Sequence, residues 1–298
     1  CIVPAGTTYT WPVPSVTGGL TGGVAGTNLG TITGTLTNPT SSVQTATYTV
    51  TPTAGGCTGT PFTVTVTVNP TPAVNNLTAT TCSQTAFNVS PADGTDGLVP
   101  AGTTYSWGAP AVTGGITGGA AGTNQVSIGG TLINPTNAPQ TATYTVTPLS
   151  GTCTGATFTL IVTVNPVPAI TPMTAVVCSE ASFTSTPANG LNGIVPAGTL
   201  YSWSAPVVTG GMTGGAAGTN QADISGTLIN PTTAQQTATY TVTPVSGTCT
   251  GANYTLIVTV NPLPVTSAIA GEAIICESAT NKVYQVTNTP GSTYQWTF

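Results

Sequence analysis

The sequence predicts an all-β chain of tandem two-sheet sandwiches in a linear array, on three observations. The chain repeats itself: Trp11, Trp107 and Trp203 stand 96 residues apart. Asn69-Pro70, Asn165-Pro166 and Asn261-Pro262 keep that interval, as do Cys57, Cys153 and Cys249. A period near a hundred residues exceeds a solenoid repeat and matches one small domain. Residues 140–147 read QTATYTVT and residues 156–164 read ATFTLIVTV, alternating polar and apolar side chains as half-buried strands do. No segment shows the period of an amphipathic helix, and Gly, Pro, Asn and Asp punctuate the chain every roughly 8–12 residues.

Boundaries fall at the Asn-Pro-x-Pro segments, where two prolines in four residues fix φ and make a short, stiff connector. Residues 1–70 are then a repeat lacking its first strands. Residues 71–166 and 167–262 are complete repeats, and 263–298 begin a further, divergent one. Because the chain starts and stops inside a repeat, it is expected to be a window from a longer polypeptide. Within a complete repeat, Ala86–Ser90 and Thr103–Trp107 are expected strands. A final hairpin turns at Leu149-Ser150-Gly151-Thr152, where Ser-Gly supplies turn chemistry. About seven short strands per repeat point to an immunoglobulin-like sandwich.

The aromatics fit such a core. Tyr105 and Tyr201 lie two residues before Trp107 and Trp203, so each pair shares one strand face. Tyr144 and Tyr240 sit mid-strand before the last hairpin, where sandwiches often place a corner tyrosine. With so few aromatics per repeat, a buried core role outweighs a carbohydrate platform.

Composition narrows function. The 298 residues hold one Lys, no Arg or His and six acidic residues, so charged groups make up 2% against roughly 25% in ordinary domains. One cation cannot form the basic footprint that nucleic acid or anionic lipid requires. No apolar run approaches the roughly 20 residues of a membrane span, so neither nucleic acid nor membrane insertion is expected. Apolar residues at 39%, in strand patterns, argue against disorder. Seven cysteines at regular spacing, with 68 threonines, suit structural disulfides and an extracellular setting.

Segments that resemble chemical sites read as structure. The Gly-rich run 113–124, TGGITGGAAGTN, recurs at 17–28 and 209–220. It lacks the Lys or following helix of a phosphate loop, so it is expected to be a cross-sheet connection using positive φ. Asp93-Gly-Thr-Asp96-Gly resembles a calcium loop, but the next repeat has Asn189-Gly-Leu-Asn192-Gly. Turns accept both pairs equally, whereas calcium wants carboxylates. Without His, recurring paired carboxylates or a base to activate Ser and Thr, the chain is expected to be no enzyme. No cofactor and no metal are expected.

Each repeat has a cysteine before its second strand (Cys82, Cys178 and, slightly shifted, Cys276) and another past the last hairpin turn (Cys57, Cys153, Cys249). The simplest pairing is Cys82–Cys153 and Cys178–Cys249, each 71 residues apart. Against it, the first turn and last hairpin of a sandwich lie at opposite ends, beyond the roughly 7 Å Cα limit of a disulfide. The alternatives are bonds between neighbouring repeats, such as Cys82–Cys249, or free thiols. Cys1 has no counterpart among the repeats, and pairing with Cys57 is one option.

The segments Cys178-Ser-Glu-x-Ser-Phe, Tyr201-Ser-Trp203, Thr237-Ala-Thr-Tyr-Thr-Val-Thr-Pro244, Gly247-Thr-Cys249 and Val258-Thr-Val-Asn-Pro262 resemble the PKD-like and immunoglobulin-like repeats of very large Bacteroidota surface proteins. The resemblance covers essentially the whole chain. The tail from Cys276-Glu-Ser through Val283-Tyr-Gln-Val to Phe298 looks like a sister PKD-like subtype. The resemblance implies type IX secretion, display at the cell surface and a role in adhesins, including gliding-motility filaments. The Trp-x-Phe-Gly-Asp-Gly pattern of classical PKD domains is absent after Trp107 and Trp203, so ligand roles of that loop do not transfer.

The expected function is a non-enzymatic extracellular stalk or filament of a bacterial cell-adhesion protein. Its partners would be neighbouring repeats, identical chains in a filament, or surface glycans. The alternatives are an array of glycan- or cell-binding modules, or spacers of a secreted polysaccharide-degrading enzyme.

Overall fold

A computed structural model describes residues 3–264, 267–287, 293–295 and 297. The chain divides into two compact units: residues 1–134 with 140–164, and residues 135–139 with 165–298. Among the described residues, every regular element is a β-strand.

In the first unit, the first repeat contributes four strands of four or more residues: β1 (Thr8–Trp11), β2 (Gly26–Leu29), β3 (Gln44–Ala54) and β4 (Phe62–Val68). The second contributes seven: β5 (Leu77–Cys82), β6 (Ala86–Val89), β7 (Thr104–Trp107), β8 (Gly122–Gln125), β9 (Ile128–Thr131), β10 (Gln140–Ser150) and β11 (Phe158–Asn165). The main sheet of the second repeat runs β8-β7-β10-β11-β5, and β6 pairs with β9 in a second sheet.

Alternation in β10 drives this packing. Ala142, Tyr144 and Val146 are fully buried, while the intervening threonines point away from the core. The partner strand β11 runs antiparallel from Gln140↔Val164 to Val146↔Phe158 and buries Leu160, Val162 and Val164 on the same side. β6 and β9 supply Phe87 and Ile128 from the second sheet, so the core lies between two layers.

The expected strand before the last hairpin ends at Thr147, but β10 continues through Pro148 to Ser150. The missing Pro148 N–H is tolerated because the strand changes neighbours there. Its upper half pairs with β7 and the short strand Cys153–Thr154, and the Pro148 carbonyl accepts from Gly155 N at 2.9 Å.

The second unit holds β12 (Met173–Cys178), β13 (Ser182–Ser185), β14 (Leu200–Trp203), β15 (Gly218–Gln221), β16 (Ile224–Ile229), β17 (Gln236–Ser246) and β18 (Tyr254–Asn261). Its main sheet runs β12-β18-β17-β14-β15. The first strand joins the last in parallel, from Met173↔Leu256 to Cys178↔Asn261. Beyond Pro264, the described residues form one isolated bridge, Ala270↔Gln285. There the Lys282 ammonium donates to Glu272 at 2.6 Å, an exposed pair of small energetic weight. Pro290, Gly291, Ser292, Trp296 and Phe298 of the expected sister motif lie outside the described residues.

Candidate functional site

The Gly-rich run forms a connection that closes over the indole. Gly114, Gly115 and Gly118 take φ of 56°, 70° and 93°, values that favour glycine. The buried Trp107 donates its indole N–H to the Ala120 carbonyl at 3.1 Å. A Cβ on Gly122 would stand 2.4 Å from the Trp107 ring, so the run needs glycine there for contact with tryptophan. Trp203 repeats the arrangement with Ala216 at 3.0 Å and Gly218, and Trp11 does so with Val24 and Gly26. A shallow hollow beside Trp107 is edged by Thr123, Gln125 and Ser127, and one beside Trp203 by Thr219, Gln221 and Ser225.

The acidic loop is a turn held by its own side chains. Asp93 accepts from Val99 N at 2.8 Å, and Asp96 accepts from Ala92 N at 2.8 Å. In the next repeat, Asn189 accepts from Val195 N at 3.0 Å and Asn192 from Ala188 N at 2.9 Å. The bonds survive loss of both charges, because an amide oxygen accepts as a carboxylate does. The Ser41 hydroxyl and then the Val99 N–H hold the Asp93 carboxyl below its usual range.

Tyr144 and Tyr240 are core residues. Tyr144 packs against Phe87 at 5.8 Å between ring centroids, and Tyr240 against Phe183 at 5.7 Å. The Tyr240 hydroxyl is buried without a hydrogen-bond partner, as is that of Tyr254, so Tyr240 does not form the hydrogen bond of a corner tyrosine. Burial raises the pKa of Tyr144, Tyr240 and Tyr254. In Tyr105 and Tyr201, burial does the same, reinforced by Asp96 and Asp223.

Cys82 and Cys249 are disulfide-bonded, whereas Cys57, Cys153, Cys178 and Cys276 are free thiols. The expected pairings Cys82–Cys153 and Cys178–Cys249 are therefore not formed. Strand register supplies the reason. Cys178 lies beside Asn261 at the end of β18, while Cys249 precedes Tyr254 at its start and pairs with Ser246. Seven steps of about 3.3 Å already put Tyr254 roughly 23 Å from Asn261, and Cys249 lies further along beyond Tyr254, so the two cysteines are far beyond disulfide reach. Cys1 lies outside the described residues.

A structural device that sequence reasoning missed is a buried asparagine clamp. Asn230 donates to the Ala234 and Val260 carbonyls at 2.8 and 3.0 Å, and its backbone N–H donates to Ser179 Oγ at 2.9 Å. Asn134 bonds Val164 and Ser83, and Asn38 bonds Ser42 and Val68. The signal was legible: Asn-Pro-Thr recurs at 38, 134 and 230 with the same 96-residue spacing. Among the described residues, no group of three or more His, Cys, Asp or Glu side chains is placed to hold a metal ion.

A PKD-like domain model matches residues 2–72, 79–168 and 170–264. Comparison with curated proteins gives no match. The chain is similar to titin I-band fragment I67–I69, with 9% identity over 88% of this chain and 89% of that one at a TM-score of 0.32. It is also similar to chicken CNTN1 domains FN1–FN3, with 12% identity over 85% and 89% at a TM-score of 0.33. A third likeness is Bacteroides ovatus mixed-linkage glucan utilization locus SGBP-B in complex with a heptasaccharide, with 12% identity over 93% and 65% at a TM-score of 0.20. TM-scores this low carry no argument about function. The three matched segments span most of the sequence, and the chain belongs to the PKD-like domain family.

Proposed function

We propose that this array of PKD-like domains is a non-enzymatic structural region of an extracellular protein, a stalk or filament segment of a bacterial surface adhesin. One observation carries the reading. What recurs at 96-residue spacing is the indole–glycine contact, the asparagine clamp and the turn bonds. What drifts is charge, as Asp93 and Asp96 give way to Asn189 and Asn192. A ligand site would need the opposite pattern, with its chemistry kept and its scaffold free to vary. Residues 1–70, 71–166 and 167–262 act as successive beads, and the Asn-Pro-x-Pro connectors limit their relative rotation. A surface rich in Thr and almost free of Lys and Arg gives few cuts to proteases that read basic side chains.

Immunogold microscopy with an antibody raised against residues 71–166 tests this reading in cells that make the protein. Label along fibres extending from the surface is the expected result, and label confined to the cytoplasm overturns it.

The hollows beside Trp107 and Trp203 favour a second reading, an array of glycan-binding modules. Their Thr, Gln and Ser edges match sugar hydroxyls, and the hollow is found at the same place in the second and third repeats. Glycan-array binding by the whole chain, weakened by Gln125→Ala with Gln221→Ala, would support it. Silence on the array would reject it.

A further inference from the structure

In the third repeat, inside the second unit, the buried hydroxyl of Tyr240 has no hydrogen-bond partner. Buried polar groups are ordinarily paired, and the surroundings of this one show what it faces. A Cβ on Gly215 would stand 2.8 Å from the hydroxyl, and one on Gly226 3.7 Å. Both glycines line the hollow beside Trp203, which holds about 770 Å³. The hydroxyl therefore lies at the inner wall of that hollow, where two residues have no side chain to cover it. Strand pairing explains the opening. Thr213 and Gly214 pair with Ile229 and Leu228 of β16, and Gly215 N donates to the Thr227 carbonyl at 3.2 Å. The chain then turns away at Gly215, with φ of 70°, to join β14 from Gly218. Ser225 and Gly226 keep their partners in β13 on the other side. The hollow of the second repeat, about 460 Å³, is edged by Gly122 and Gly129. It does not reach Gly119 or Gly130, the equivalents of Gly215 and Gly226.

A tyrosine hydroxyl both donates and accepts, and burial raises the Tyr240 pKa, so its proton stays at neutral pH. None of the residues lining the hollow is charged. Asp223, two residues before Ser225, accepts from the Thr186 hydroxyl at 2.9 Å and sets negative charge near the rim, which disfavours an anion. Gln221 donates its Nε2 to the Thr219 carbonyl at 2.8 Å, which leaves its Oε1 to accept. Ser225, where the second repeat has Gly129, adds a hydroxyl, and an edge of the Trp203 indole adds apolar surface. A concave site with a few polar groups around an apolar edge suits a small ligand rich in hydroxyls. We infer that this hollow binds a neutral saccharide, one of whose hydroxyls enters between Gly215 and Gly226 to bond the Tyr240 hydroxyl. This saccharide site rests on the glycan-binding reading and narrows it to the third repeat, with Tyr240 as its innermost contact.

The test puts the full 298-residue chain on an array of neutral and acidic glycans and then titrates the strongest neutral glycan in solution. Tyr240→Phe should weaken binding roughly fivefold, the effect of one neutral hydrogen bond. It removes an unpaired buried group, so the variant should fold as the parent does. Gly226→Ala should weaken binding at least as much by covering the hydroxyl. Its Cβ would meet Phe183 at 3.4 Å, an ordinary contact, so this variant should fold too. With carbon-13 at the tyrosine Cζ, the signal that vanishes in Tyr240→Phe should shift when the glycan is added to the parent. A merely structural tyrosine would show no such shift. Unchanged affinity in both variants, or a Tyr240 signal that ignores the glycan, would overturn this site. Weaker binding by Gln221→Ala would in that case leave the glycan reading standing. Tighter binding of acidic glycans would also overturn the site. Silence across the whole array rejects the glycan reading itself, and the Tyr240 contact falls with it.

Discussion

Phe62 in the first repeat and Phe158 in the second occupy the same register position, opposite Val50 and Val146. Phe62 is 42% exposed and Phe158 only 3%. The same contrast runs down the strand. Val64, Val66 and Val68 are half-buried, whereas Leu160, Val162 and Val164 are fully buried. The strands themselves differ little; their cover differs. In the second repeat β5 lies beside β11, and the β6/β9 pair supplies Phe87 and Ile128 to the same core. Among the described residues, the first repeat's strands are β1 to β4, and none of them pairs beside β4 as β5 does beside β11. Ala46 and Val50 nonetheless stay fully buried, and Trp11 nearly so. Register and the indole contact are thus local properties of the strand sequence, while burial of the last strand depends on its neighbours.

The strongest way to break this comparison is to truncate the two phenylalanines. Phe158→Ala should cost about 3–5 kcal/mol, the usual range for a buried aromatic. Phe62→Ala should cost about 1 kcal/mol, since much of the ring is already in water. Hydrogen exchange followed repeat by repeat would separate them, and equal losses of protection would contradict the difference in cover. Next in size is the glycine beneath each indole. A Cβ at Gly26 would stand 2.3 Å from the Trp11 ring, much as at Gly122 with Trp107. Gly26→Ala and Gly122→Ala should therefore each cost about 1–3 kcal/mol from overpacking. Similar losses would show that this contact does not depend on the second sheet, and a much smaller loss at Gly26 would show that it does.

These predictions follow the line between what was legible in the sequence and what was not. The alternation of QTATYTVT announces a half-buried strand, and the Tyr-x-Trp spacing announces one inward face. The 96-residue spacing by itself marks the repeats. Three features escaped. The strand runs through Pro148 because its pairing partner changes there, and a local pattern cannot reveal a change of neighbour. The parallel union of Met173–Cys178 with Tyr254–Asn261 joins segments about eighty residues apart, a tertiary choice. The clamp at Asn38, Asn134 and Asn230 was visible as a spacing, but its buried bonds to strand carbonyls were not.

A smaller effect compares the last strands of the two units, each considered in its own core. Tyr254 stands where the second repeat has Phe158, and its buried hydroxyl lacks a partner. Tyr254→Phe should raise stability by about 1 kcal/mol, since an unsatisfied buried donor carries a desolvation penalty. Burial pushes the Tyr254 hydroxyl above the ordinary tyrosine pKa, so the protonated form is favoured in the fold. Its contribution is complete below the unfolded tyrosine pKa and is lost as pH rises from there toward the higher folded value. The variant should therefore resist alkaline unfolding better than the parent chain in circular dichroism, and a variant that unfolds at lower pH would contradict this account.

The smallest expected effect compares the two turns, one built with carboxylates and one with amides. The Ser41 hydroxyl and the Val99 N–H lower the Asp93 pKa, so folding favours the ionised form. That contribution is present above the unfolded carboxylate pKa and disappears as pH falls through the lower folded value. Asp93→Asn keeps the acceptor that Val99 N needs, as Asn189 does for Val195. It should leave stability nearly unchanged at neutral pH, because Asp93 is fully exposed to solvent screening. Below the ordinary carboxylate range, the parent chain should lose the Asp93 contribution while the variant has none to lose, so the parent falls slightly below the variant on acidification. Denaturant titrations at stepped pH would measure it. A wide gap at neutral pH that closes as pH falls would mean that the charge, rather than the hydrogen-bond acceptor, holds this turn.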